Sequence, residues 1–458
     1  MLVTVLACLF LLAPLGRALS VSLSSNTVLD NSGIYFVSYD GLVNVNSFQQ
    51  NAVLTYEGYQ YAAWYSSSRS AMLARRAVPS GSWASISLPH TLSANDSHNV
   101  MSLGISPADG TIHVAMDCHS TTLYYTKSTA GLANSPASKT WAASSFGSIV
   151  TTLGGLNIGT TVTYPQFAVT PDNKLQFIYR SGVSGNGAAQ LAEWSGSAWS
   201  SVGQWSSASG SYTSTNGVVS TVRNLYIHGF TYSSTGRLHV AGTWREQTGG
   251  VSCGDLTNHD TVYFYSDDRG RSWYNSAGTK VGTSGSSPIA VGASGIIVDS
   301  LNADHALMNQ ESQAADSTNL PHVVISYVPG RFGQCITSYE SGRLANAYAF
   351  HVWRSSAGTW TKTEIPQAVQ SVGRSQIFLD SSDNAYVVLP FIRIMGATKA
   401  SNYTDWALLY NGQSAGLNAF GEITLDRSRI ASERIVSVLY QLSSSGTSSA
   451  VKIADFKF

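Results

Sequence analysis

Read along the chain, apolar and polar positions alternate over short stretches that punctual turns interrupt. A turn carrying Asp, Asn or Gly is followed by a period-2 run in "EGYQYAAWY" from Glu57, "DGTIHVAMD" from Asp109, "DNKLQFIYR" from Asp172, "TGRLHVAGTW" from Thr235, "NLPHVVISYV" from Asn319 and "DNAYVVLPFI" from Asp383. Alternation with period 2 places one face of each run against a core, so these stretches predict half-buried strands. Equivalent positions 113, 176, 239, 322 and 386 are separated by 63, 63, 83 and 64 residues. Each is followed by a further strand-like run, such as "TTLYYTKS" or "TVYFYSDDRGRSW". A recurring unit of this size, built of strand and turn, predicts an all-β fold of four-stranded antiparallel blades arranged as a β-propeller. A pair of β-sandwiches is the alternative.

Six copies are visible. A seventh blade is expected from the C-terminal strands around "IVSVLYQL" and "AVKIADFKF", joined by an N-terminal strand such as "GIYFVSYD". Pairing the two ends would close the ring and cover the exposed edges. The stretch Ser266–Trp273, "SDDRGRSW", matches an Asp-box, a hairpin turn whose Ser and Asp bond local backbone while the Trp packs beneath. Its meaning is architectural.

Composition sharpens this picture. Only 11% of the 458 residues are charged, against roughly 25% in an ordinary globular domain. Net charge is zero, so neither a nucleic-acid partner nor a membrane surface is expected. The first twenty residues, "MLVTVLACLFLLAPLGRALS", read as a leader peptide with a small-x-small site ending at Ser20. The expected organisation is therefore a secreted, extracellular chain with one domain over 21–458. Two sequons, at Asn95 and Asn402, agree with that route. Cys8 leaves with the leader; Cys118, Cys253 and Cys335 remain. Connectivity is not readable from sequence; Cys253–Cys335 is the working pair, with Cys118 a buried thiol.

In so charge-poor a chain, a few clusters draw the eye: His98 and Asn99 in "NDSHNV", His119 in "VAMDCHS", Tyr164 before Pro165, Arg180 before "SGVSGNG", Arg245 in "TWRE", His259 in "TNHD", Arg331 in "PGRFG" and Arg354 in "HVWR". Each alone reads as well as a packed strand residue, a satisfied histidine or a surface ion pair. Together they are more informative. Tyr164 and Arg180 lie 16 residues apart, with "YRSGVSGNG" following, and His98 and His119 lie 21 apart. This set resembles the BNR-repeat polysaccharide lyases, seven-bladed propellers that include ulvan lyases and the secreted fungal lyases acting on L-rhamnose-α-1,4-glucuronate.

The resemblance implies β-elimination on an acidic plant or algal polysaccharide. It implies proton transfer by Tyr164 and His119, with Arg180 neutralising the uronate carboxylate and serving a phenolate as well. His98 with Asn99 would hold that carboxylate, and Arg245, His259 and Arg331 would bind sugar from later blades. The glycine-rich turn would let the sugar approach backbone. Within the class, a terminal rhamnose–glucuronate linkage of arabinogalactan-type gum is the expected target, with ulvan the alternative. A sialidase-like hydrolase and a non-catalytic sugar-binding propeller are the rivals. No catalytic cofactor is expected. A structural Ca²⁺ is implied by the family, although no contiguous oxygen-ligand loop declares it. The chain is expected to act as a monomer.

Overall fold

The computed structural model describes residues 18–49 and 51–458. The leader read over residues 1–20, and Cys8 with it, thus lies almost wholly outside the described residues. No helix among them is long and apolar enough to cross a membrane.

Antiparallel pairing gathers the described strands into seven sheets. The pattern-based strands Tyr59–Tyr65, Ile112–Met116, Leu175–Val183, Leu238–Glu246, Pro321–Tyr327 and Ala385–Leu389 fall in six different sheets, each an interior strand with a neighbour on both sides. Local chemistry sets the joints. Tyr56 pairs with Tyr59 across Glu57 and Gly58, whose φ angles are +47° and +71°, the twist that a two-residue hairpin needs. In the turn Ser266–Trp273, Asp268 Oδ1 accepts from the backbone N–H groups of Arg271 (3.0 Å) and Ser272 (2.7 Å), and the Trp273 side chain is fully buried.

The seventh sheet unites the chain ends in the order Ser22–Ile34, Ser448–Lys457, Ile435–Gln441, Thr424–Asp426. Its N-terminal strand is Ser22–Ile34, not the expected run "GIYFVSYD". That strand is polar and buries only three of its thirteen residues, so hydrophobic alternation does not mark it. The apolar stretch after it instead forms a loop in which Tyr39 and Asp40 take positive φ.

Apolar clusters join neighbouring sheets face to face. Ile178 and Leu191 pack with Leu225, Val240 and Phe264 of the next sheet, around Trp205, Trp244 and Trp273. Val324 and Ala349 likewise meet Ile377 and Val387, and Leu29, Leu439 and Ile453 meet Val53, Ala62 and Ala74. Cys253 and Cys335 form the disulfide and Cys118 is a buried thiol.

Candidate active site

Tyr164 sits where strand Val162–Val169 breaks register with Leu175–Val183, between Thr163 and Gln166. Pro165 cannot donate to the ladder, and Tyr164 adopts φ +58°. A non-glycine residue in that region costs about 1–3 kcal/mol, which the surrounding sheet must hold in place. The bulge turns the phenol out of the ladder into a cavity of about 240 Å³.

His98, His119, Tyr226, Arg245 and Arg374 line the same cavity. His119 lies on the short strand His119–Thr121, which pairs with Val162 and Thr163 and so is anchored beside Tyr164. Asp96 holds both imidazoles: Oδ1 lies 2.9 Å from His98 Nδ1 and Oδ2 lies 2.6 Å from His119 Nδ1. A carboxylate only accepts, so both rings carry their proton on Nδ1 and present a bare Nε2. The two rings stack at 4.1 Å between centroids. Burial pushes His98 down to about 4, and the neighbouring charges of His119 and Arg374 add to this against the pull of Asp96. Burial raises the Asp96 carboxyl, but the hydrogen bonds from His119 and His98 outweigh it and hold it far below the usual range.

Beneath Tyr164, Arg180 is 4% exposed. Its Nη2 donates to Thr163 Oγ1 (2.8 Å) and Ser120 Oγ (3.0 Å), its Nη1 reaches Tyr226 Oη at 3.5 Å, and its Cζ lies 5.0 Å from the centre of the Tyr164 ring. It lines a smaller adjoining cavity with Tyr164 and Tyr226, rather than the main one. Burial raises the Tyr226 phenol, but the Arg180 and Arg245 charges and a hydrogen bond with Ser184 bring it below the usual 10. Tyr164 moves the other way: burial, then the neighbouring Tyr226, raise it. The two phenols are thus shifted in opposite directions, Tyr226 down and Tyr164 up.

The glycine-rich turn serves packing. Val183 pairs with Asn186 across Ser184 and Gly185. A Cβ on Gly185 would meet Gln247 Cα at 2.9 Å, and one on Gly187 would meet the Ser181 carbonyl oxygen at 2.8 Å and Arg180 Cδ at 3.0 Å. The close approach is therefore to Gln247, the Ser181 carbonyl and the Arg180 side chain, and it sets Ser184 against Tyr226.

Among the described residues the Arg245 side chain forms no hydrogen bond or ion pair, whereas Arg374 is held by Glu422 Oε1 (2.8 Å) and by Asn309. Of the other residues picked from sequence, Asn99, His259 and Arg331 do not line the cavity. The backbone N–H of Asn99 caps the loop on Asp96 O at 3.1 Å, and its side chain is buried. His259 is locked between Glu246 (3.1 Å) and Asp260 (2.9 Å), behind the buried pair of Arg223 with Glu246. Arg331 makes two 2.7 Å bonds to Glu364 at the surface and stacks on Phe332 and Tyr348. Arg354, also noted in the sequence, donates to Ser276 O. Asp96, Tyr226 and Arg374 went unselected. Asp96 was legible only as the middle of a sequon, and nothing local distinguishes Tyr226 in "NLYIHGF" or Arg374 in "SVGRSQIF".

Asp96, His98 and His119 are also the one group of three potential metal ligands found among the described residues, with ligand atoms within 4.8 Å. Two imidazoles and one carboxylate do not suit Ca²⁺, which takes six to eight oxygens. No calcium site is assigned to them.

The chain is 36% identical over 92 residues to the long isoform of ulvan lyase from Pseudoalteromonas sp. (strain PLSV), which is 18% of this chain and 9% of that protein. It is 29% identical over 202 residues to the long isoform of ulvan lyase from Alteromonas sp., 34% of this chain and 20% of that one. The matched stretches thus span a fifth or less of these curated relatives. Among solved structures, polysaccharide lyase Uly1 superposes with a TM-score of 0.70 at 16% identity, over 95% of this chain and 99% of that one. An ulvan lyase of family PL25, solved also bound to -[GlcA(1-4)Rha3S]-, gives 0.63 at 12% identity, over 93% and 94%. These likenesses speak for the fold. The family model for BNR repeat-containing members matches residues 59–368, most of the chain, and the protein belongs to that family.

Proposed function

We propose that this protein is a secreted polysaccharide lyase that cleaves a rhamnose–glucuronate linkage by β-elimination, and that its seven sheets are the blades of one closed propeller. The observation that carries the activity is the single cavity shared by a protonated phenol, a carboxylate-held histidine pair and two arginines. The pairing of Ser22–Ile34 with Ser448–Lys457 supports ring closure. Secretion rests on the leader sequence of residues 1–20.

The chemistry follows from these groups. A uronate carboxylate enters between Arg245 and Arg374, whose charge-assisted hydrogen bonds stabilise the electron density that reaches it when the C5 proton leaves. His119 Nε2 takes that proton, and Asp96 stabilises the resulting imidazolium. The C5–H electron pair forms the C4=C5 double bond and the C4–O bond breaks. The departing oxygen takes the Tyr164 phenol proton, which burial has kept on the ring. Arg180 acts one layer back: it steadies the phenolate left on Tyr164 and orients Tyr226.

Two polymers offer this linkage. Ulvan is favoured by the names of the relatives and by the ligand in one structural neighbour. Gum-type arabinogalactan, with unsulfated rhamnose on glucuronate, is favoured by two carboxylates on the cavity wall, Asp40 and Asp255. Incubation with ulvan and with gum arabic, followed by ultraviolet absorbance and mass analysis of released sugars, tests the reading. A 4,5-unsaturated uronate is expected. Hydrolytic products alone would replace the lyase by a sialidase-like hydrolase, and binding without products would leave a sugar-binding propeller.

A further inference from the structure

One wall of the cavity is unlike the rest. Asp40, Asp255, Leu256 and Tyr339 line it, and they come from two loops and the first residue of the helix Tyr339–Asn346. The Tyr339 hydroxyl donates to Asp40 Oδ2, and its backbone N–H donates to Asp255 Oδ1 at 3.0 Å. The disulfide Cys253–Cys335 ties the loop bearing Asp255 to the segment that leads into Tyr339. The Cys253 N–H is fixed on Asp304 Oδ1 at 2.9 Å. The wall is therefore built and braced.

Its charge is not compensated. Other carboxylates near the site have cationic or imidazole partners: Asp96 has His98 and His119, Glu422 has Arg374, and Glu246 has Arg223. Among the described residues no Lys, Arg or His forms an ion pair with Asp40 or Asp255. The cavity thus carries both signs of charge on its lining: Arg245 and Arg374, and two carboxylates that no cationic side chain pairs.

We infer that the sugar seated against Asp40 and Asp255 is uncharged, and that these residues discriminate against a sulfate ester or a second uronate at that position. The inference rests on the lyase reading and deepens it. Like charges brought together in a partly enclosed site are penalised. A neutral sugar instead offers hydroxyl donors that a carboxylate accepts. The same charges orient the substrate, because the uronate is drawn to Arg245 and Arg374 and its neighbour is left to the carboxylates. A cavity of about 240 Å³, below the roughly 300–1,000 Å³ of pockets that engulf a drug-sized ligand, gives a bulky anionic substituent little room to turn away.

The test compares native ulvan with chemically desulfated ulvan, which share a backbone and differ in charge. For the wild-type protein kcat/KM is expected to be at least tenfold higher on the desulfated polymer, with the ratio shrinking as salt is added. In Asp255→Asn the ratio should fall, and in Asp40→Asn/Asp255→Asn it should approach one. Asp255→Asn keeps the Tyr339–Asp40 contact, so a folding defect confined to the double variant does not block the test. A wild-type enzyme that prefers native ulvan overturns the inference, as does a ratio that neither variant moves. If no polymer yields an unsaturated uronate, the lyase reading fails separately. Calorimetric affinities for sulfated and desulfated ulvan oligosaccharides, measured on wild type and double variant, then decide the charge rule alone: tighter wild-type binding of the desulfated form supports it, and equal binding overturns it.

Discussion

Replacing Asp96 by Asn is the sharpest probe of the proposed proton transfer. The side chain keeps its shape but offers one oxygen and one NH₂ group. Asp96 now accepts from both His98 Nδ1 at 2.9 Å and His119 Nδ1 at 2.6 Å. An amide can satisfy only one ring in that way. The ring facing the NH₂ must turn Nδ1 into an acceptor, which moves its proton to Nε2 and removes the lone pair that would take the C5 proton. The same change withdraws the negative charge that stabilises an imidazolium. In a carboxylate–histidine pair of this kind, the wrong tautomer costs about 10⁴-fold in kcat, and loss of the supporting partner alone costs about 10–100-fold. A fall of about 10³–10⁴-fold in kcat is expected if the amide faces His119, with a smaller change in KM. The assay is the initial rate of ultraviolet absorbance from the unsaturated uronate across a pH series, with thermal unfolding as the control for fold. The pH profile should lose the limb that belongs to the base. A variant that unfolds normally and retains kcat within tenfold of wild type, with an unaltered profile, would refute the Asp96–His119 mechanism.

Tyr164→Phe removes only the hydroxyl and should abolish turnover while the melting temperature holds; near-normal rates would exclude the phenol as acid. Arg245→Ala should raise KM by roughly 10–150-fold, the equivalent of about 1.5–3 kcal/mol for a charge-assisted hydrogen bond, whereas Arg331→Ala, already paired with Glu364 at the surface, should leave kinetics unchanged; equal effects would contradict the cavity assignment. Burial pushes Glu311 up to about 7 from 4.5, against the pull of Arg343 and hydrogen bonds from Ser326 and the Ser375 N–H. The folded protein therefore binds more protons than the unfolded chain between those values, and stability present below pH 4.5 is lost as pH rises through 7, by about 3 kcal/mol. Glu311→Gln should flatten that slope in urea unfolding at pH 4.5–8, and parallel slopes would rule the contribution out.

What the sequence reveals follows from which forces leave a linear trace. An interior strand of each of six sheets was legible because burial on one or both faces imposes apolar spacing around a fixed turn. Ser22–Ile34 left no such trace, since an exposed edge strand is held by backbone bonds that any polar side chain permits. At the site, His98, His119, Tyr164 and Arg180 stood out because charged residues are sparse in this chain and the four recur together at the spacing of a known family. Tyr226 and Arg374 acquire meaning only from neighbours far along the chain: Glu422 fixes Arg374, and Arg180 tunes Tyr226. Arg331 and His259 misled for the converse reason. A basic residue beside a tight turn looks the same in one dimension whether its carboxylate partner is a substrate or Glu364.

The sheet that unites the chain ends has a temporal side. Ser24 hydrogen-bonds to Asp455, 431 residues away in sequence, and Ser22–Ile34 finds its partner only in the last strand of the described chain. Loop closure over such a distance comes late, and contacts of high sequence separation slow folding. During synthesis the N-terminal strand must wait, unpaired, until Ser448–Lys457 leaves the ribosome. Its serines, Asn26 and Asp30 make that wait safe, because a polar strand is a poor template for aggregation. Once formed, the same pairing acts as a latch: unfolding that begins at either terminus must first peel apart the strand that holds the other.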